Sequence, residues 1–166
     1  MKIIHVIGHS KSGKTTLVTG LIRYFRSKEL SVGSIKSIHR EDYSVDKEGG
    51  NSFLHRKAGA SPVCTITSQD IAFFFEPDLS FDSIIKIFES LNTKILIIEG
   101  MKESAKECVV CAKDIKDAEA LAEGKKVILF SGVLSSVFEG EIKGIPVFHT
   151  KEQIDEIGGI LQEHGQ

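Results

Sequence analysis

Strong charge of either sign is missing from this chain of 166 residues: 21 Lys and Arg stand against 23 Asp and Glu, a formal net charge of −2. That balance gives no global attraction to nucleic acid or acidic membranes, and no long single-sign run supplies a local one. Neither partner is expected. Apolar runs are short, none approaching the roughly 18 residues that a membrane span needs, and the N-terminus reads as a strand rather than a targeting segment. A cytoplasmic protein is expected. Cysteine is scarce and odd in number, Cys64, Cys108 and Cys111, which leaves one thiol over in any paired scheme and suits a reducing compartment. Cys108 and Cys111 are spaced C-x-x-C, but Glu107 to Ala112 reads as a strand, where positions i and i+3 face opposite sides. With no second C-x-x-C to complete a zinc set, buried thiols are expected there. Internal repeats and low-complexity linkers are also missing. At 41% apolar and 27% charged, residues 1–166 are expected to form a single domain with a core that needs no metal or disulfide staple.

What is present begins at Gly8. Residues Gly8-His9-Ser10-Lys11-Ser12-Gly13-Lys14-Thr15 follow the phosphate-loop pattern G-x-x-x-x-G-K-[ST], after an apolar run (Ile3, Ile4, Val6, Ile7) and before a helical one. Backbone N–H groups of such a turn converge on phosphate oxygens, and the helix beginning near Lys14 aims its positive dipole end at the same place. Gly8 and Gly13 allow close approach, Lys14 reaches the β- and γ-phosphates, and the Thr15 hydroxyl is placed to ligate Mg²⁺. His9, Ser10, Lys11, Ser12 and Thr16 complete the expected nucleotide contacts. A nucleoside triphosphate is the expected ligand.

The pattern along the chain predicts a mostly parallel α/β sheet of the phosphate-loop NTPase type, flanked by helices and carrying an antiparallel hairpin. A helix is expected over residues 16–29 and a strand over 31–38, making a βαβ unit with a parallel pair. A short helix over 51–58 takes Asn51 as its N-cap. Residues 62–67 and 71–76 read as a hairpin, 82–91 as a helix, and 94–99 as a buried strand ending in an acid. Strands at 107–112, 127–130 and 145–148, with helices at 116–122 and 151–164, complete the reading. Pro146 favours a strand start or a sheet edge.

Phosphate-loop proteins complete the Mg²⁺ shell with an acid ending a buried strand, and Ile95-Leu96-Ile97-Ile98-Glu99-Gly100 has that form. Glu99 is therefore a metal and catalytic candidate. The polar segment with His39, Arg40, Glu41, Asp42, Asp46 and Lys47 follows the second strand. Asp46 is its candidate for metal-linked work and His39 for a polar contact to phosphate or a second ligand; each is equally readable as a solvated loop residue. Glu48-Gly49-Gly50-Asn51-Ser52 is either a second anion-holding turn or a flexible helix start.

The phosphate loop, Ile35-Lys36-Ser37-Ile38-His39, Val45-Asp46-Lys47, Ser52, Arg56-Lys57-Ala58-Gly59-Ala60 and Ile98-Glu99-Gly100-Met101-Lys102 occur together in one order. Over about the first 115 residues this resembles the molybdopterin-guanine dinucleotide biosynthesis protein B family. The resemblance implies a GTP-binding, weakly GTP-hydrolysing accessory protein of molybdenum cofactor maturation. It also implies a homodimer that assists the enzyme transferring a guanylyl group to molybdopterin, with Lys14 on phosphate charge and Thr15 with Glu99 or Asp46 on Mg²⁺. The chain departs from the family pattern at Ser37-Ile38-His39-Arg40, Gly49-Gly50-Asn51-Ser52 and Ser131-Gly132, so no second-anion or base-reading role is carried onto those positions.

Two rival readings stand beside this one. The guanine signature Asn-Lys-x-Asp does not occur, since Asn51 and Asn92 are the only asparagines, so an ATP-dependent small-molecule kinase remains an alternative. Against it, no arginine lies between Met101 and Gly124 to serve a phosphate-closing lid. The other alternative is an adapter whose nucleotide is not hydrolysed, since no glutamine is positioned to orient water.

Overall fold

Strands that are apolar on both faces need cover on both, and the sheet of this protein is built that way. The computed structural model describes residues 1–38, 40 and 43–164. They fall into two compact units, residues 1–37 with 88–166, and residues 38–87.

The larger unit holds a seven-stranded sheet. Its strands are β1 (Lys2–Ile7), β2 (Val32–Lys36), β5 (Ile95–Glu99), β6 (Glu107–Cys111), β7 (Lys126–Ser131), β8 (Gly140–Ile142) and β9 (Ile145–Val147), in the order β2-β5-β1-β6-β7-β9-β8. All pairings are parallel except β8 with β9. The expected mostly parallel sheet is present. The first strand pair is a correction: β2 pairs with β5, not with β1, because the more apolar β5 takes the interior place beside β1 and leaves β2 at the edge. All five residues of β5 are buried.

Alternation along the strands divides the core in two. Ile4, Val6, Ile97, Val109, Cys111 and Leu129 face α1 (Lys14–Ser27) and α5 (Ile154–Glu163), where Leu17, Leu21, Phe25, Ile157 and Leu161 cover them. Ile7, Cys108, Val110, Val127 and Phe130 face α4 (Ile115–Ala122) through Ala118 and Leu121. Val127 and Phe130 share a face despite their spacing of three. The register between β6 and β7 slips by one between Cys108 and Val109, leaving Ile128 as the extra residue. Cys108 and Cys111 therefore belong to opposite cores, as their spacing predicted. Pro146 does not lie on the edge strand; the three-residue β8, which the sequence pattern did not show, covers β9.

In the smaller unit, β3 (Val63–Ile66) and β4 (Ile71–Phe74) form the expected antiparallel hairpin. Helix α2 (Asn51–Lys57) precedes it, and α3 (Phe81–Ser90) begins in this unit. Asn51 is the first helical residue and not the N-cap, which is Gly50 in extended conformation without a side-chain cap. No helix among the described residues is long and apolar enough to cross a membrane.

Candidate functional site

The loop Gly8–Gly13 leaves the carboxyl end of β1 and returns into α1. Lys11 lies in the left-handed region at φ 61° and Gly13 at φ 95°. A Cβ on Gly8 would stand 2.2 Å from the Cys111 carbonyl oxygen and 2.5 Å from Ser12 Oγ, so the loop is pressed against the end of β6 in a way only glycine permits. On its other flank, Gly13 meets Gly132, where a Cβ would come within 3.0 Å of the Gly132 Cα. The Val133 N–H donates to the Ser12 carbonyl at 3.0 Å and closes this contact.

Gly132 is itself tied down. Its N–H donates to Thr150 Oγ1 at 2.9 Å, its carbonyl accepts from Ser135 Oγ at 2.7 Å, and Ser131 Oγ lies 2.9 Å from Thr150 Oγ1. All three hydroxyl side chains are buried. Such a satisfied buried network rigidifies its surroundings, and here it backs the loop.

At the mouth of the loop, Lys14 Nζ donates to the His9 carbonyl at 2.7 Å. His9 Nδ1 lies 2.5 Å from Asp117 Oδ1. Asp117 also accepts from the Lys113 N–H and donates its own N–H to Asp114 Oδ1, the N-cap bond that opens α4. Beside β1, Glu99 is 8% exposed and accepts from Thr15 Oγ1 at 2.9 Å through Oε1. Lys36 Nζ donates to the same oxygen at 2.9 Å and lies 3.4 Å from Thr15 Oγ1. The register explains the meeting, since Lys36 and Glu99 are opposite on β2 and β5, and Val6 is opposite Glu99 on β1.

The site thus brings Lys14, Thr15 and Glu99 together at one edge of the sheet. Ser10 and Thr16 are exposed. Thr16 opens on a groove of about 420 Å³ that includes Thr19, Arg23, Thr150, Lys151 and Asp155. Asp46 belongs to the smaller unit, where it is 6% exposed. Its oxygens accept from Ser52 Oγ at 2.8 Å and Arg56 Nη1 at 3.3 Å. His39, Glu41 and Asp42 lie outside the described residues. The Gly49-Gly50 turn closes through the Gly50 N–H on the Lys47 carbonyl, 3.0 Å. Lys36 and Asp117 had no assigned role in the sequence reading. Lys36 lay inside a quoted motif, but its part depends on β5 being its neighbour.

The loop's chemistry fits an anionic ligand. Ser12 Oγ is buried without a partner, α1 has no acidic residue in its first turn, and its N-cap glycine carries no side-chain cap. The positive end of α1 is therefore not neutralised from within its own first turn. For a hard cation, Thr15 Oγ1 and Glu99 Oε1 offer two neighbouring oxygen donors of the right chemical class. Among the described residues no group of three or more His, Cys, Asp or Glu side chains forms a metal-binding cluster.

The solved structure of Bacillus subtilis MobB is similar in fold, with a TM-score of 0.79 at 23% identity over 99% of this chain and 100% of that one. The Haemophilus influenzae molybdopterin-guanine dinucleotide biosynthesis adapter protein is 32% identical over 103 residues, 61% of this chain and 57% of its own length. A provisionally named adapter protein of the same description from Methanocaldococcus jannaschii is 32% identical over 127 residues, 74% of this chain and 52% of its own length. The chain therefore spans about half the length of these two relatives. Residues 3–132 match the family model described as Molybdopterin guanine dinucleotide synthesis protein B, and with that share of its length the chain belongs to this family.

Proposed function

We propose that this chain is a GTP-binding adapter of molybdopterin guanine dinucleotide biosynthesis that hydrolyses GTP slowly to GDP and phosphate. The observation that carries the reading is the position of Glu99, on the strand beside β1 and 2.9 Å from the hydroxyl of Thr15, directly beyond the Gly8–Gly13 loop. Family membership supplies the biosynthetic context.

In this reading the loop N–H groups and the α1 N-terminus hold the phosphates. Lys14 exchanges the His9 carbonyl for a phosphate oxygen, which costs little because it gives up one neutral acceptor for a charged one. Thr15 and Glu99 would hold Mg²⁺, which would supply positive charge to offset that of the phosphates. Asp46 is the second acid expected near the metal; its engagement by Ser52 and Arg56 makes Glu99 the better supported of the two. The groove at Thr16 lies beside β9's trailing segment, across β1 from Glu99, and has room for a nucleoside. The partners in this reading are molybdopterin, the guanylyl-transferring enzyme and a second copy of the chain, in the cytoplasm.

Calorimetry with GTP, GDP and ATP in the presence of Mg²⁺ tests the proposal. GTP is expected to bind more tightly than ATP, and Lys14→Ala to lose at least about tenfold in GTP affinity, the loss of one charge-assisted contact. Its thermal unfolding is expected to stay close to native, because a loop lysine contributes little to the core. A folded Lys14→Ala protein with native GTP affinity contradicts the assignment.

A further inference from the structure

We infer that Lys36 is an internal counter-cation for Glu99, which Mg²⁺ must displace in order to bind. The inference rests on the metal role proposed for Thr15 and Glu99. Lys36 Nζ stands 2.9 Å from Glu99 Oε1 and 3.4 Å from Thr15 Oγ1, the same two oxygens that the metal would use. A metal on those oxygens would meet the like charge of the ammonium at contact distance, which favours its release. A buried carboxylate without a positive partner is costly, and Glu99 has a side chain only 10% exposed. Lys36 supplies that partner from the adjoining strand, while its own side chain is 56% exposed.

The asymmetry in burial decides how the exchange runs. The ammonium is already half in water, so releasing it carries a small desolvation change, and solvent screens its attraction. A divalent ion has twice the charge and accepts several oxygen ligands at once. Lys36 therefore keeps Glu99 neutralised without holding the site permanently, and it gives way to the metal. Because Lys36 is the last residue of β2, with the Ser37 N–H bonded to the Glu99 carbonyl at 3.0 Å, metal loading frees a side chain at the point where the chain leaves the sheet.

Mg²⁺ titrations of the GDP-bound native chain, Lys36→Met and Lys36→Arg, followed by calorimetry, test the inference. Lys36→Met is expected to lower the half-saturating Mg²⁺ concentration at least about fivefold, the lower end of typical coupling between linked binding events. Lys36→Arg is expected to restore the native value, since it keeps the charge. As a second readout, acylation of Lys36 by an amine-reactive reagent, followed by mass spectrometry, is expected to rise when Mg²⁺ is added to the native GDP complex. A Lys36→Met titration that superimposes on the native one, or acylation indifferent to Mg²⁺, overturns the inference while leaving the nucleotide site intact. Nucleotide binding by the native chain that shows no dependence on Mg²⁺ overturns the metal role of Glu99 and the inference together.

Discussion

At Gly132 the backbone takes φ 92° and ψ −154°, a region that residues with a Cβ essentially do not occupy. A Cβ there would also stand 2.3 Å from the Ser12 carbonyl oxygen and 3.0 Å from the Ala112 N and O. All three atoms are backbone, which cannot rotate away. Gly132→Ala is therefore expected to lower stability by roughly 3 kcal/mol, measured as a shift in urea midpoint, from dihedral strain plus displacement of the loop. Under the proposed nucleotide-binding role, GTP affinity is expected to fall as well, because the Val133 N–H bond to Ser12 holds the Ser12–Gly13 segment in place. A variant with the native midpoint would mean that the two loops move apart freely. Gly124 gives the contrast at the same scale: its φ is positive, yet nothing lies within 4 Å of a Cβ, so only the dihedral term applies there.

Alternation along β6 makes its thiols inaccessible in a way that the C-x-x-C spacing alone conceals. Cys108 and Cys111 are 1% and 0% exposed, in opposite cores. Burial pushes the Cys108 thiol up to about 11 and the Cys111 thiol up to about 12, with Lys125 and Lys14 respectively pulling back in smaller measure. A thiol-reactive dye at about pH 8 is expected to label exposed Cys64 rapidly and the other two only on unfolding, since the thiolate is the reactive form. Two fast thiols would place one β6 cysteine at the surface. The same scale shows why some elements were legible in the sequence and others were not. β1, the loop and α1 are adjacent in the chain, so the local pattern from Ile3 to Phe25 contains them, and the apolar run from Ile95 to Ile98 ending at Glu99 marks β5 equally well. The insertion of β5 between β1 and β2 is a long-range choice that no local window records, and the Lys36–Glu99 pair went unseen for that reason. β8 was missed because three residues, Gly140–Ile142, are too few to show a period. At α2, Asn51 suits an N-cap by residue type, but the preceding glycine takes the extended conformation and the helix begins one residue earlier than that reading requires.

For the whole molecule, stability rests on the larger unit's sheet, and β1 lies inside it with β5 on one side and β6 on the other. A group that disfavours β1 therefore disfavours the sheet, and His5 is such a group at low pH. Its Nδ1 is buried without a hydrogen-bond partner, and desolvation holds its pKa below the ordinary value of 6.5. The groove around it also contains Lys2, Lys106, Glu107 and His164. In the unfolded chain His5 takes up a proton near 6.5, whereas in the folded chain it does so only at lower pH. Between those two values the unfolded state binds more protons, so stability rises with pH across that window. The contribution of neutral His5 is fully present above the unfolded value, is lost as pH falls toward the folded one, and changes no further below it. Urea midpoints measured from about pH 7.5 down to about pH 5, where most carboxylates are still ionised, are expected to fall more steeply for the native chain than for His5→Gln. The other histidines are common to both proteins, so the difference between the two curves isolates His5. Parallel curves would mean that the imidazole reaches water in the folded state, and that β1 tolerates a charge at its centre.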